Sequence, residues 1–172
     1  MIGVSQSYFQ AAWVVNNLEE AMQRWIKTAR VGPFFVLANV DIQHARYRGE
    51  PTTLNFSAAL AQAGPIQIEL IEQHDDAPSA YRDTFAVGQE GFHHLCQFVD
   101  SYDESVARHA AQGSPIAHCG QTGDMRFAYL DTRPSLGFMT EIIEDRQFAR
   151  DLFKIVADAA VDWDGSDPIR TP

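Results

Sequence analysis

Four polar side chains lie inside otherwise apolar stretches of this 172-residue chain: Gln10, Glu69, His94 and Glu141. Glu69 and Glu141 are the most informative, because burying an unpaired carboxylate is costly. One imidazole nitrogen and three oxygen atoms suit an octahedral divalent ion and leave positions for water or substrate oxygens. The four residues together therefore favour a metal site.

Each of these residues also has a purely structural interpretation. A glutamine in an apolar strand can satisfy a backbone group, and a single histidine there more often makes a structural hydrogen bond. Because side chains alternate along a strand, we expect His93 and His94 to point to opposite faces of the sheet. We expect His94 to face the site, since it aligns with Gln10 across an internal repeat.

The repeat predicts how these residues are positioned. Residues 8–21 and 92–105 match at an offset of 84 residues, and each stretch is predicted to form a strand, a tight turn and a helix. Both turns carry a helix-capping signal, in which a small polar residue is followed three positions later by glutamate. The capping pairs are Asn17 with Glu20 and Ser101 with Glu104.

Three further strands are predicted after each helix. They span 34–40, 54–62 and 65–72 in the first half, and 115–119, 125–131 and 137–144 in the second. The last strands of the two halves match at an offset of 72 residues, which aligns Glu69 with Glu141. The extra length of the first half is assigned to a loop at 41–53. A polar linker is predicted at 73–91, an amphipathic helix after the second half, and a frayed tail from Trp163.

The composition excludes several classes of protein. Apolar residues make up 45% of the sequence and charged residues 21%, as in ordinary soluble globular proteins. No apolar run approaches the ~20 residues of a membrane-spanning helix, and a net charge of −10 disfavours nucleic acid and anionic lipid. The N-terminal residues lack the features of a secretion signal, and the chain has two cysteines. We therefore predict a cytoplasmic protein that acts on a small molecule, with no nucleic-acid or membrane partner.

The duplicated unit, with a polar residue in its first strand and a carboxylate in its last, resembles the vicinal oxygen chelate superfamily. That superfamily contains glyoxalase I, methylmalonyl-CoA epimerase, extradiol dioxygenases and bleomycin-resistance proteins. The resemblance covers residues 8–144. It implies an α+β fold in which two tandem βαβββ units form a cup-shaped mixed sheet. The implied division of this single domain is a first unit at 1–75, a linker at 76–91, a second unit at 92–145 and a C-terminal helix at 146–163.

The resemblance also implies a site. Gln10, Glu69, His94 and Glu141 match the four metal ligands of the superfamily, in the pattern of the glyoxalase I branch that has glutamine first. The implied cofactor is a divalent ion such as Zn, Ni, Co, Mn or Mg. The implied activity is that of an isomerase, lyase or epimerase that transfers a proton next to a carbonyl, with Glu141 or alternatively Glu69 as catalytic base. A homodimer is expected, with the cup completed within one chain or across two.

Two departures from the relatives leave the function open. Glyoxalase I of this branch usually has an arginine four residues after its first ligand, where this chain has Val14, which disfavours glutathione. The epimerases generally use two glutamates, and the predicted strand 54–62 contains none. The alternatives are an extradiol dioxygenase, which needs two histidines and one carboxylate, and a metal-free binding protein of the resistance type.

Other residues are predicted to have minor roles. An acidic group of the substrate could be bound by Arg46, Arg48 or Arg82. The simpler interpretation is that these three side chains are exposed on the surface and bind no ligand. Met125 and Phe127 could line an apolar substrate pocket. Several further polar residues are predicted to be mostly exposed or solvated: His44, His74, His109, His118, Glu72 and Glu144.

Overall fold

All strands of the computed structural model, which describes residues 7–172, join one mixed sheet. The prediction that the N-terminus is not a secretion signal rests on residues 1–7, and residues 1–6 lie outside the described residues. The strands are β1 (Tyr8–Val14), β2 (Phe34–Leu37), β3 (Gln43–Tyr47), β4 (Glu50–Pro51), β5 (Phe56–Ala63), β6 (Ile66–Gln73), β7 (Gly91–Val99), β8 (Ile116–Thr122), β9 (Met125–Leu130), β10 (Met139–Glu144) and β11 (Ile169–Arg170). Across the sheet they follow the order β11-β2-β5-β6-β1-β7-β10-β9-β8-β3-β4.

Five helices accompany the sheet in the described residues: α1 (Leu18–Ala29), α2 (Ala80–Thr84), α3 (Tyr102–Ala111), α4 (Arg133–Leu136) and α5 (Gln147–Ala160). The predicted caps of α1 and α3 are confirmed. Asn17 Oδ1 accepts a hydrogen bond from the Glu20 amide at 2.9 Å, and Ser101 Oγ accepts one from the Glu104 amide at 3.4 Å. No described helix is both long and apolar enough to span a membrane.

The two halves of the chain meet at the centre of the sheet. There β1 and β7, the first strands of the two halves, pair antiparallel. On either side, β6 pairs parallel with β1, and β10 pairs parallel with β7. This arrangement confirms the predicted α+β fold of two tandem units, and α5 is the predicted C-terminal helix.

Apolar side chains cover both faces of the sheet. Helix α1 packs on one face against Ile68 and Leu70 of β6, and α3 packs against Ala128 and Ile142 of the second half. The opposite face, called the cup face here, carries the largest buried cluster, which includes Tyr129. Helix α5 packs over the first-half side of the cup face. The cup face is therefore partly covered by α5, whereas α1 and α3 pack on the other face of the sheet.

Three segments predicted to be irregular contain regular structure. The predicted loop at 41–53 forms the hairpin β3-β4, which pairs with β8 of the second half. The polar linker contains α2, because Tyr81 is fully buried and anchors it. The predicted frayed tail is held by β11, which pairs with β2, and by the Trp163 ring, which packs against Gly32. In each case long-range pairing or burial outweighs a polar local sequence.

An ion-pair cluster joins the hairpin to the second half. Arg48 contacts Asp83 at 2.5 Å and Asp131 at 2.8 Å, and Arg133 contacts Asp131 at 2.7 Å. The Tyr47 hydroxyl donates to Asp83 at 2.6 Å. Arg133 and Arg48 hold the pKa of Asp131 at about 2, below its ordinary 3.8. Because Asp131 is only 8% exposed, the shift corresponds to about 2 kcal/mol of stability.

We expect Asp131→Asn to lower the free energy of unfolding by about 2 kcal/mol at neutral pH. A carboxyl whose pKa is depressed stabilises the fold fully above its unfolded pKa and loses that contribution as the pH falls through its folded pKa. The difference in the free energy of unfolding between the variant and the wild type should therefore become smaller as the pH falls from about 4 to about 2. Urea unfolding at several pH values in this range measures that difference. Asp103→Asn is the control, since Asp103 is exposed and pairs only at the surface. A difference that does not change with pH would contradict the assignment.

Candidate metal centre

Two neighbouring rows of cross-strand partners carry the four candidate residues on the cup face. Residues opposite each other on adjacent strands share a face, and so do residues two apart along a strand. The first row is Leu60, Glu69, Ala12, His94 and Met139. The second row is Gln67, Gln10, Cys96, Glu141 and Tyr129. All four candidates therefore lie on the same face, on the four central strands β6, β1, β7 and β10.

Glu69, His94 and Glu141 form a compact cluster, in which the potential ligand atoms lie within 4.8 Å of one another. His94 Nε2 is 3.1 Å from Glu141 Oε2 and 3.5 Å from Glu69 Oε2. The His94 side chain is completely buried. Its Nε2 has no hydrogen-bond partner in the described residues. A buried nitrogen that faces two carboxylates in this way fits a divalent cation.

The electrostatics of the cluster also favour a bound cation. Burial raises the pKa of Glu69, and the charge of Glu141 raises it further. Burial would lower the pKa of His94, but the carboxylates of Glu141 and Glu69 outweigh this and raise it to about 9. The two carboxylates thus need a positive charge between them. Without a metal ion the proton on His94 supplies that charge, and a metal ion would displace the proton.

The expectation that His93 and His94 point to opposite faces is wrong. The register between β1 and β7 shifts between Ala12 and Trp13, so His93 is an extra residue with no partner across the strand pair. A bulge of this kind redirects side chains and is frequent beside functional sites. Both histidine rings consequently contact the Tyr129 ring, with centroids at 5.6 and 5.0 Å.

His93 holds the ring of His94 in place. Its Nε2 donates to the Ala80 carbonyl at 2.9 Å, and burial lowers the pKa of His93 to about 3, so the ring is neutral. Its Nδ1 therefore accepts a hydrogen bond from His94 Nδ1 at 2.9 Å. This bond leaves Nε2 as the nitrogen that His94 directs at the carboxylates. Hydrogen bonds of this type orient metal-binding histidines.

Gln10 lies beside the cluster and lines the same cavity as Glu69 and Glu141. It is 3% exposed, and its Nε2 donates to Gln67 Oε1 at 2.8 Å. The amide nitrogen is thereby occupied, so the atom of Gln10 that is available to a cation is Oε1. Gln67 was not a candidate in the sequence, although its position two residues before Glu69 on the same strand places it on the same face.

Two tyrosines complete the surroundings of the cluster. Tyr129 is the cross-strand partner of Glu141 and lines the cavity. Its hydroxyl lies 3.0 Å from that of Tyr81, and burial raises the pKa of both phenols. Neither tyrosine was among the residues predicted from the sequence. Alternation along β9 could have identified Tyr129, because Phe127 lies on the same face, whereas Tyr81 lies in a segment predicted to be a polar linker.

The structure corrects several predictions about polar residues outside the proposed ligand set. Glu144 is buried rather than solvated, and it is paired with Arg126 at 2.8 Å and Arg146 at 2.9 Å. His118 is fully buried beside Tyr47, because β3 covers β8. None of the three arginines suggested as substrate clamps lines the cavity. Arg48 is held by carboxylates, and Arg46 and Arg82 donate to the backbone carbonyls of Gly49 and Asp75.

A cavity of about 310 Å³ opens over the cluster. Its polar end is formed by Gln10, Glu69, Glu141 and Tyr129, and Met125 and Phe127 line its wall, as the sequence suggested. The candidate cluster therefore lies at the polar end of an otherwise apolar cavity.

Comparisons with solved structures place this fold among known proteins. A hypothetical protein from Bacillus halodurans superposes with a TM-score of 0.60 at 17% identity, covering 84% of this chain and 97% of the other. Methylmalonyl-CoA epimerase from Mycobacterium tuberculosis gives 0.55 at 14% identity, covering 88% and 97%. A Streptomyces coelicolor methylmalonyl-CoA epimerase in complex with 2-nitronate-propionyl-CoA gives 0.55 at 15% identity, covering 83% and 97%. At these identities the similarity establishes the fold alone.

Sequence comparison extends the assignment from the fold to the family. No sequence among curated proteins matches this chain. A family profile does match, over residues 9–129, which contain three of the four candidate ligands. Its description is glyoxalase, bleomycin resistance protein and dioxygenase superfamily. The chain therefore belongs to the glyoxalase/bleomycin resistance protein/dioxygenase superfamily.

Proposed function

We propose that this protein is a metal-dependent isomerase, lyase or epimerase that moves a proton at a carbon next to a carbonyl. Its substrate is a small molecule that presents two neighbouring oxygen atoms. The observation that carries the proposal is the position of His94 Nε2, which is buried and lies 3.1 and 3.5 Å from two carboxylate oxygens below the cavity. Proton-transfer enzymes occur among proteins of this fold, as the methylmalonyl-CoA epimerases exemplify.

The residues proposed to hold the metal ion are Gln10, Glu69, His94 and Glu141. They offer one nitrogen and three oxygen donors, and the two carboxylates neutralise a divalent charge. Such an ion would act as a Lewis acid that stabilises negative charge on substrate oxygens. The donor set does not favour one ion among Zn, Ni, Co, Mn and Mg.

Glu141 is the proposed catalytic base, with Glu69 as the second candidate. Both line the cavity and are partly accessible from it, whereas His94 is completely buried. A carboxylate at the cavity surface can accept the proton from the substrate carbon and return it to the same or a neighbouring carbon. Tyr129, the cross-strand partner of Glu141, also lines the cavity, and we propose that its hydroxyl donates a hydrogen bond to a substrate oxygen.

The dioxygenase alternative receives less support from the donor set. Ferrous oxygen chemistry of that type uses two histidines and one carboxylate. The second histidine of this site, His93, is occupied at both ring nitrogens by Ala80 and His94. It therefore has no free nitrogen for a metal ion.

Metal titration tests the proposal directly. We expect the purified protein, stripped and then reconstituted, to bind one divalent ion per chain. A chelator should lower its melting temperature, because a ligand that binds only the folded state stabilises it by mass action. At 100 times the dissociation constant the stabilisation is about 2.7 kcal/mol. Elemental analysis and thermal unfolding measure both effects. A failure of all five ions to bind would reject the metal-dependent function and favour a metal-free binding protein.

A further inference from the structure

We infer that the substrate is an apolar molecule with a single chelating head and no separate anionic group. This inference rests on the proposed function and defines the substrate class of the same site. An apolar hydroxyketone or 1,2-dicarbonyl compound belongs to the class, whereas an acyl-CoA or a glutathione adduct does not. Three properties of the cavity carry the inference: its walls, its charge and its size.

The walls of the cavity are apolar beyond the metal centre. Leu37 and Ile42 contribute from the first half, Met125 and Phe127 from β9, and Phe148 and Leu152 from α5. Phe148 is 55% exposed although its ring borders the cavity. Apolar surface that remains open to solvent beside a polar head site favours a ligand with an apolar body.

The charge of the cavity disfavours an anionic substrate group. The charged residues of its lining, within the described chain, are Asp41, Glu69 and Glu141. A divalent ion would balance Glu69 and Glu141 and leave Asp41 near the entrance. A phosphate or a second carboxylate would therefore enter an uncompensated negative field.

Nearby arginines do not supply a compensating charge. Arg146 contacts Glu144 at 2.9 Å, and Arg150 contacts Asp145 at 2.5 Å. Arg126 contacts Glu144 and Asp103 at 2.8 and 3.1 Å. Each of these guanidinium groups already has a carboxylate partner. Recruiting one of them to an anionic ligand would break an existing ion pair.

The size of the cavity agrees with a small apolar body. Its volume of about 310 Å³ is at the lower end of the range for small-molecule pockets. A six-carbon chain or a single aromatic ring is of the right scale. A nucleotide-bearing acyl carrier would have to lie mostly outside the cavity, over an acidic protein surface.

Hydroxamates that differ only in their tails test the inference. All of them chelate divalent ions through two neighbouring oxygens, so differences in affinity report on how the cavity accommodates the tail. We would measure the binding of acetohydroxamate, hexanohydroxamate and adipate monohydroxamate to the metal-loaded protein by calorimetry. A buried methylene contributes about 0.8 kcal/mol, which is about fourfold in affinity. Hexanohydroxamate should therefore bind about 50-fold or more tightly than acetohydroxamate. Adipate monohydroxamate, in which a carboxylate replaces the terminal methyl, should lose most of that gain.

A matched pair of variants tests the role of the wall. Met125→Lys places a cation in the lining and should shift the preference toward adipate monohydroxamate by at least about tenfold. Ile155→Lys adds the same charge on an exposed part of α5 outside the cavity and should leave the preference unchanged.

The outcomes separate this inference from the proposed function. Equal binding of the three hydroxamates, or tighter binding of the carboxylate-tailed one, would overturn the apolar substrate class while leaving the metal centre intact. Metal loading without binding of any hydroxamate would reject both the chelating substrate and the class inferred from it.

Discussion

Replacing Glu141 with glutamine should lower proton exchange by about 100-fold or more while most metal binding is retained. The amide keeps an oxygen atom that can contact the ion, but it cannot accept a proton from carbon. Loss of a general base typically costs this much. The measurement is exchange of the α-protons of 2-hydroxyacetophenone, an apolar hydroxyketone, with solvent deuterium, followed by nuclear magnetic resonance.

Glu69→Gln is the matched variant for this experiment. Glu69 contributes to the same cluster from the other half of the chain, so its replacement perturbs the metal centre similarly. If Glu141 is the base, Glu69→Gln should retain clearly more exchange activity. Full activity in Glu141→Gln together with inactivity in Glu69→Gln would transfer the role of base to Glu69.

Replacing His94 with alanine should weaken metal binding by more than about 100-fold. His94 is the only nitrogen donor of the proposed set, and its ring nitrogen lies between the two carboxylates. Competition with a calibrated chelator measures the affinity. His109→Ala is the control, since His109 is bonded to the Ser105 carbonyl on α3, away from the cavity. Thermal unfolding without metal reports whether the variant is folded.

His93→Ala provides the graded comparison. It should weaken metal binding by about 10- to 100-fold, the usual effect of removing a partner that orients a metal ligand. The effect should be smaller than that of His94→Ala, because His93 contacts the ligand rather than the ion. Loss of binding in His93→Ala with retention in His94→Ala would mean that the roles of the two histidines are exchanged.

The internal repeat predicted the two units and aligned Gln10 with His94 and Glu69 with Glu141. The resemblance to the superfamily implied that these units form one cup-shaped sheet with the four residues on it. The structure has them on β1, β7, β6 and β10, because β6 and β10 flank the central pair of strands. The caps were predicted because Asn17 and Ser101 act through contacts only three residues away.

The rest depended on contacts that no local pattern encodes. The bulge at His93 arises from the register between β1 and β7, whereas simple alternation predicts opposite faces for His93 and His94. The hairpin β3-β4 forms because β8 offers it an edge about 70 residues further along the chain. Tyr81 is buried by residues of the other half, including Tyr129 and His93. A polar stretch does not reveal such partners.

The two ends of the sheet order affect how folded copies of this protein can meet. One edge is the two-residue β11, and the other is the two-residue β4, which contains Pro51. Very short edge strands and proline offer few free backbone groups to a further strand. Such edges protect against aggregation by strand addition. If the expected homodimer forms, we therefore do not expect the sheet to continue from one copy into the next.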